Sequence, residues 1–309
     1  MLETYNEAVS IPSDLAFPSP MRAIVVTPEE ETELLLRVSK GARKSSVFTL
    51  FQGLRSEVGA RSQDESSCPA KASTFWGPSG FFAECSDILD ASLEVDTLVI
   101  PEGGDVLHIS CADGGRGRAH VAAWSDTGFT TEPPCRESFE AKLLEVPFRS
   151  QFWEDPSFAK RICLPTSLAM VLEYYGISIS TERVARGIYD ENWGIYGNWL
   201  RACLFASQKG LSAKVMASLE PRDLYFYISK GVPLILSVAY EAGDLVNAPI
   251  KSTQGHLLVL CGFETSCSVL CQDPALKDGG EAPVSYDLRE LTRAWKGNLI
   301  VVERLGLLQ

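Results

Sequence analysis

The chain has 309 residues, a formal net charge of −12, and 28 lysine and arginine residues against 40 carboxylates. An acidic chain without basic runs disfavours nucleic acid as a partner, because phosphate contacts need clustered cations. The length exceeds that of one ordinary core, so two domains are expected. No apolar run reaches the roughly 20 residues that span a bilayer, so membrane insertion is not expected.

The first 20 residues contain three prolines and no apolar period, which predicts an extended lead-in. Residues 1–14 carry three carboxylates, no lysine or arginine, and no apolar stretch. They do not indicate a signal peptide, so a cytoplasmic location is expected, or secretion if the chain was trimmed.

From Met21 to about Trp124 the sequence predicts short strands separated by turns that contain glycine and proline. The predicted strands are 23–27, 32–38, 46–51, 81–85, 97–100, 106–111 and 119–124. Strands without a convincing helix favour an N-terminal β-sandwich-like domain, and the polar residues 52–73 predict a long loop. We expect this domain to bind or position substrate, or to shield a cleft.

The composition changes after the polar segment 125–145, and we place a domain boundary near residue 140, which divides 1–138 from 139–309. Helices are predicted at 165–175, 181–189, 198–208, 221–230 and about 287–296. Strands are predicted at 233–240, 256–263, 268–272 and 298–303. Helices followed by an antiparallel sheet indicate an α+β fold.

Cys163 lies at the start of a predicted helix that runs from about Pro165 to about Tyr175. Proline is tolerated in a first helical turn, and the apolar residues after it repeat at helical spacing. Gly176 is typical of the residue that follows a helix. Unpaired N–H groups and the helix dipole favour a thiolate at this end, so Cys163 is a candidate nucleophile.

The other cysteines and two of the histidines favour no metal site. The chain has nine cysteines, but no pair has the C-x-x-C spacing of zinc or redox motifs. Cys203, Cys261 and Cys271 lie in apolar patterns and are expected to be small buried residues. His108 and His120 could bind a ligand, but a surface or strand-edge role is the favoured interpretation.

A cysteine nucleophile needs a nearby base and a group that orients the base. Of the three histidines, only His256 lies in the second part of the chain, where it begins the apolar strand 257–263. The next strand ends at Asp273, and in a hairpin the start of one strand lies beside the end of the other. His256 and Asp273 are therefore predicted neighbours. The alternative is that the histidine caps a strand and the aspartate opens a turn.

Gln151 and an aromatic segment are weaker candidates. The amide of Gln151 could share an oxyanion hole with the backbone N–H of Cys163, although an ordinary surface glutamine is the alternative. A glycine-interrupted aromatic segment could line a substrate cleft or simply pack on the helices. Its members are Tyr189, Asp190, Trp193, Tyr196, Asn198 and Trp199.

Four features together resemble the papain-type cysteine peptidases, and among them the bacteriocin-leader-peptidase-like family and its stand-alone bacterial relatives. They are Gln151, the helix start Cys163-Leu164-Pro165-Thr166-Ser167, Gly255-His256 and Asp273-Pro274. The resemblance covers about residues 145–303 and implies a papain-like fold there. The family often has glycine or serine after the cysteine, whereas Leu164 follows here, and we expect its backbone rather than its side chain to face the chemistry.

The resemblance also implies roles for single residues. Cys163 corresponds to the nucleophile, His256 to the general base and acid, Asp273 to the orienting carboxylate and Gln151 to the oxyanion donor. The implied substrate is a peptide or related amide, with no metal or organic cofactor. The same triad could instead transfer an acyl group to an amine, or the protein could be a binding module on a peptidase fold. Specificity and oligomeric state stay open.

Overall fold

The computed structural model describes residues 4–29, 32–45, 47–51, 89–125, 139–217, 220–265, 267–277 and 280–306. Within these ranges the protein has two antiparallel sheets and five α-helices, so its α+β class is as predicted. The predicted strand 81–85 and the predicted loop 52–73 lie outside the described residues.

The N-terminal part forms one sheet of eight strands among the described residues. The strands are β1 (Thr4–Ile11), β2 (Ser13–Pro28), β3 (Glu33–Lys40), β4 (Arg43–Lys44), β5 (Phe48–Phe51), β6 (Ser92–Glu94), β7 (Thr97–Cys111) and β8 (Gly117–Trp124). Their order is β1-β8-β2-β7-β3-β4, with β5 paired to β3 and β6 to β7. The β-rich character is as predicted. The arrangement as a sandwich of two packed sheets stays a prediction.

The prediction of an extended lead-in over residues 1–20 is wrong, because this segment contributes β1 and the first part of β2. β1 pairs with β8 along its whole length. The prolines are compatible with strands here because they lie where the hydrogen bonding between strands is interrupted. Pro12 separates the two strands, and Pro18 and Pro20 fall where the β2–β7 register shifts between Ala16 and Met21.

The second part forms a sheet of seven strands among the described residues. The strands are β9 (Lys142–Leu143), β10 (Leu211–Ala217), β11 (Leu234–Tyr240), β12 (Thr253–Thr265), β13 (Ser268–Gln272), β14 (Val284–Asp287) and β15 (Trp295–Arg304). Their order is β10-β15-β11-β12-β13-β14, and β9 pairs with β12. The predicted hairpin of β12 and β13 is present, whereas β10 and β14 were not predicted.

Five α-helices belong to the second part, and two 3₁₀ turns, at Gln151–Trp153 and Ala159–Arg161, precede them. The helices are α1 (Cys163–Tyr174), α2 (Thr181–Ile188), α3 (Trp199–Gln208), α4 (Pro221–Ser229) and α5 (Leu288–Ala294). All five were predicted to within a few residues. Gly176 follows α1 with a φ of +86°, a conformation that favours glycine, as expected of a C′ residue.

Side chains of the N-terminal sheet cover the free edge of β10. Asn6 accepts a hydrogen bond from the Ala217 N–H at 2.9 Å and donates one to the Ala217 carbonyl at 2.6 Å. The Thr27 hydroxyl accepts the Val215 N–H at 3.2 Å. The buried apolar side chains of the two sheets form one continuous cluster. The division into domains at residue 138 stays a prediction.

None of the helices in the described ranges combines the length and the apolar character that crossing a membrane requires.

Candidate active site

Cys163 is the first residue of α1, and its side chain is partly exposed. Within the described residues no side chain caps the helix, since the side chain of the preceding residue, Ile162, has no hydrogen-bonding group. The first-turn N–H groups are therefore left to act on the sulfur, and the backbone of Leu164 is hydrogen-bonded to it. The Leu164 side chain is fully buried. That only its backbone faces the chemistry stays a prediction.

His256 is held on β12, the strand against which α1 packs. It lies three residues inside the strand, paired with Val238 of β11, and is 3% exposed. The Ser167 hydroxyl of α1 donates to the carbonyl of Leu257 at 3.1 Å. This bond ties the helix that carries Cys163 to the strand that carries His256, beside both residues.

Asp273 directly follows β13, as the hairpin argument required. The register pairs Val259 with Gln272, so the next residue, Asp273, falls opposite Leu258 and diagonal to His256 on the same face of the sheet. His256 Nε2 is 2.8 Å from Asp273 Oδ1. Because this nitrogen is taken, Nδ1 is left for the hydrogen bond between His256 and the Cys163 sulfur. The structure thus brings the three predicted residues into one hydrogen-bonded array.

The carboxylate of Asp273 is almost fully buried, at 1% exposure, and three groups donate to it. His256 and the Ala275 N–H both approach Oδ1 at 2.8 Å. The hydroxyl of Tyr286 donates to Oδ2, also at 2.8 Å. A buried carboxylate requires such donors, since an unpaired charge in the interior is costly.

The pKa values of the three groups favour a thiolate–imidazolium pair. Burial alone would raise the pKa of Cys163, but the hydrogen bond and charge of His256 outweigh it and lower that pKa. Burial likewise opposes the charged form of His256, yet the Asp273 carboxylate and Cys163 raise its pKa to about 10. Burial would also raise the pKa of Asp273, but His256 and the other donors keep it below its usual value.

Gln151 is 4% exposed and begins the first 3₁₀ turn. Its N–H donates to the Pro274 carbonyl at 2.8 Å, so its backbone is fixed beside the residue that follows Asp273. Its side-chain Oε1 is buried and has no hydrogen-bond partner among the described residues.

The aromatic segment partly packs and partly stays exposed. The ring of Tyr196 contacts Tyr189 and lies beneath the guanidinium of Arg161, 5.4 Å from it. Arg161, two residues before Cys163, also donates to the carbonyl of Gly194. Trp193 is half exposed. The segment therefore borders the chain that leads into the nucleophile helix, with one ring open to solvent.

The polar members of that segment have structural roles. Asn198 caps α3 by accepting the Arg201 N–H at 3.1 Å, and its amide donates to Asp190 at 2.8 Å. Asp190 is also 3.2 Å from Arg201 Nε. From the N-terminal sheet, Asp96 accepts the N–H of Trp199, the first residue of α3, at 2.8 Å. No cationic side chain among the described residues forms an ion pair with the buried Asp96, and burial raises its pKa to about 6.

Neither N-terminal histidine joins the site. His108 faces away from the buried strand residues, as predicted, and lies 2.7 Å from Asp14 and 3.2 Å from the Ser39 hydroxyl. This serine lies within β3, paired with β4 and β7. The carboxylate of Asp14 is 74% exposed, so it holds the ring less firmly than the buried Asp273 holds His256. Burial lowers the pKa of His120 to about 4.

Other expectations concern cysteines and metals. Cys203, Cys261 and Cys271 are buried, as predicted. Within the described residues, no group of three or more histidine, cysteine, aspartate or glutamate side chains is arranged to hold a metal ion. Tyr286 was missed by sequence reasoning, because its strand has only four residues. A tyrosine shortly after the triad aspartate was the only available sign.

Comparison with known proteins adds a family. The model of the Peptidase_C39 like family matches residues 143–298, a range that includes Gln151, Cys163, His256 and Asp273. A search of curated proteins gives no match.

Two solved structures are similar to this chain. One is a double glycine motif protease from an AMS/PCAT transporter in complex with the leader peptide, with 24% identity, 54% of this chain and 97% of that chain covered, and a TM-score of 0.39. The other is a putative C39-like peptidase from Bacillus anthracis. Its sequence identity is 20%, the match covers 53% of this chain and 98% of that chain, and the TM-score is 0.40.

Proposed function

The chain belongs to the Peptidase_C39 like family of cysteine peptidases, and from that premise we propose that Cys163, His256 and Asp273 hydrolyse a peptide bond through a covalent acyl-enzyme. The observation that carries the proposal is the buried hydrogen-bonded array at the N-terminus of α1. A nucleophile, its base and the group that orients the base are the parts that thiol catalysis requires.

In the first step the proton of Cys163 resides on His256, and the thiolate attacks the carbonyl carbon of the substrate. The C–S bond forms as the carbonyl π electrons move to oxygen. The backbone N–H of Cys163 and the side-chain amide of Gln151 are the donors we assign to this oxyanion. The position of Gln151, whose backbone N–H is bonded to the carbonyl of Pro274 next to Asp273, supports that assignment.

Collapse of the tetrahedral intermediate breaks the C–N bond, and His256 gives its proton to the leaving amine. Water then attacks the thioester while His256 accepts a proton from it. The second tetrahedral intermediate expels the thiolate and releases a carboxylic acid. Asp273 holds the imidazole in one orientation and favours its charged form throughout, which is consistent with its 2.8 Å contact with Nε2.

Replacing Cys163 by alanine tests the proposal. We expect peptide hydrolysis to fall by at least about 1,000-fold, because loss of a triad nucleophile removes most of the rate enhancement. Labelling of the site by a thiol-reactive acylating probe should disappear as well. The matched control is Cys267→Ala, which removes an exposed thiol on the turn after β12. Full hydrolysis by the Cys163 variant would overturn the proposal.

Product analysis separates hydrolysis from acyl transfer. When a peptide substrate is cleaved in the presence of an added amine that competes with water for the acyl-enzyme, a hydrolase should give the free acid as the main product. An amide of the added amine as the main product would assign the same triad to transfer. A thiol at Cys163 that reacts with iodoacetamide no faster than Cys267 would argue against any catalytic role.

A further inference from the structure

The hydroxyl of Tyr286 completes the hydrogen-bonding of the Asp273 carboxylate. It donates to Oδ2 at 2.8 Å, while the other two donors both use Oδ1. Tyr286 is therefore the sole donor to the second oxygen among the hydrogen bonds in the described part of the chain. The ring is 1% exposed, and so is the carboxylate. Water cannot readily replace the phenol at such a position.

The sheet fixes Tyr286 against this oxygen. β14 pairs antiparallel with β13, with Tyr286 opposite Val269 and Val284 opposite Cys271. Asp273 follows the same strand, β13. The tyrosine thus belongs to an edge strand whose pairing partner ends at the carboxylate. The three neighbouring strands β12, β13 and β14 of one sheet therefore hold His256, Asp273 and Tyr286, which are linked by hydrogen bonds in that order.

We propose that Tyr286 is a positioning residue of the active site, which keeps Asp273 ionised and in the rotamer that orients His256. The proposal rests on the proposed function of the triad. Tyr286 does not touch the reacting atoms and acts through the carboxylate alone. With the phenol present, rotation about the Asp273 side chain would break a buried hydrogen bond, and protonation of Oδ2 would weaken it.

Tyr286→Phe removes the hydroxyl and little else. Without the donor, the ionised carboxylate is less favoured, so Asp273 should take up a proton at higher pH. We expect the acid limb of the pH profile for Cys163 alkylation by iodoacetamide, followed on the Cys163 peptide by mass spectrometry, to move up by about one pH unit. In hydrolysis, kcat should fall by about 10-fold with KM changed less than twofold.

The matched control is Tyr175→Phe. This tyrosine is partly buried, and its hydroxyl donates to the Val302 carbonyl at 2.9 Å, away from the triad. The Tyr175→Phe variant should show the same pH profile of Cys163 alkylation as the unaltered protein. An acid limb of the Tyr286 variant that coincides with that of the unaltered protein would overturn the proposal. So would an equal shift in both variants, since that would indicate a general loss of rigidity.

Two further measurements distinguish a role of Tyr286 in positioning Asp273 from a general contribution of Tyr286 to the stability of the fold. In an Asp273→Ala background, Tyr286→Phe should shift the alkylation profile no further, and an additive shift would contradict the proposal. If Tyr286→Phe does not fold, nuclear magnetic resonance of the unaltered protein serves instead. A slowly exchanging, downfield hydroxyl proton of Tyr286 should be present, and its absence would count against the proposal. Alkylation needs no peptide, so these results stay readable even if Cys163→Ala retains hydrolysis.

Discussion

Replacing Asp96 by asparagine should make the protein more stable at neutral pH. Asp96 lies in the turn between β6 and β7, is 7% exposed, and accepts the Trp199 N–H at the start of α3. The side-chain hydroxyl of Thr97 also donates to Asp96, at 3.2 Å. Asparagine retains an oxygen that can accept the Trp199 N–H, but it carries no charge to desolvate.

The magnitude follows from the pKa. Burial raises the pKa of Asp96 from 3.8 to about 6, a difference of about 2 units, and one unit corresponds to 1.36 kcal/mol. Because the folded state binds the proton more tightly, the contribution of Asp96 to stability is full below about pH 4 and is lost as the pH rises through 6. At pH 7.5 the buried charge therefore costs about 3 kcal/mol relative to a neutral side chain.

Urea unfolding of both proteins at pH 7.5 and pH 4.5 measures this cost. We expect Asp96→Asn to unfold at a higher urea concentration at pH 7.5 and the advantage to shrink strongly at pH 4.5. Asp90→Asn, a change at an exposed aspartate shortly before β6, is the control and should alter stability by less than about 0.5 kcal/mol at either pH. An Asp96→Asn protein less stable than the original by the same amount at both pH values would refute the reasoning.

Two other predictions concern the triad and the oxyanion. Hydrolysis should be lost below the lowered pKa of Cys163 and again above about pH 10, where His256 loses its proton; a loss centred near pH 7 in the pH–rate profile would contradict the ion pair. Gln151→Ala should lower kcat by about 100-fold in steady-state assays with little change in KM, whereas a rise in KM alone would assign the glutamine to substrate binding.

The core of the site could be predicted from the sequence because its residues are linked by local geometry. Cys163 begins a helix whose pattern is clear, and the hairpin of β12 and β13 joins residues only 17 positions apart, His256 and Asp273. Helix periodicity and antiparallel pairing are short-range rules, so they hold without knowledge of the rest of the chain.

The residues that were missed depend on long-range pairing. β10 contains serine, alanine and lysine, which have weak strand preference, and it exists because β15 pairs with it. β14 has four residues, and only its pairing with β13 brings Tyr286 to the carboxylate. Asp96 reaches α3 across 103 positions of sequence. No local pattern specifies such contacts.

The cover over β10 has a consequence for how the chain avoids self-association. The exposed edge of a sheet is a template for strands from other molecules. Here side chains of Asn6 and Thr27, rather than another strand, occupy backbone groups along that edge. These residues precede β10 in the chain, so during synthesis their strands emerge from the ribosome first. The N-terminal sheet is thus synthesised before β10, and its side chains can cover the edge of β10 as soon as that strand forms.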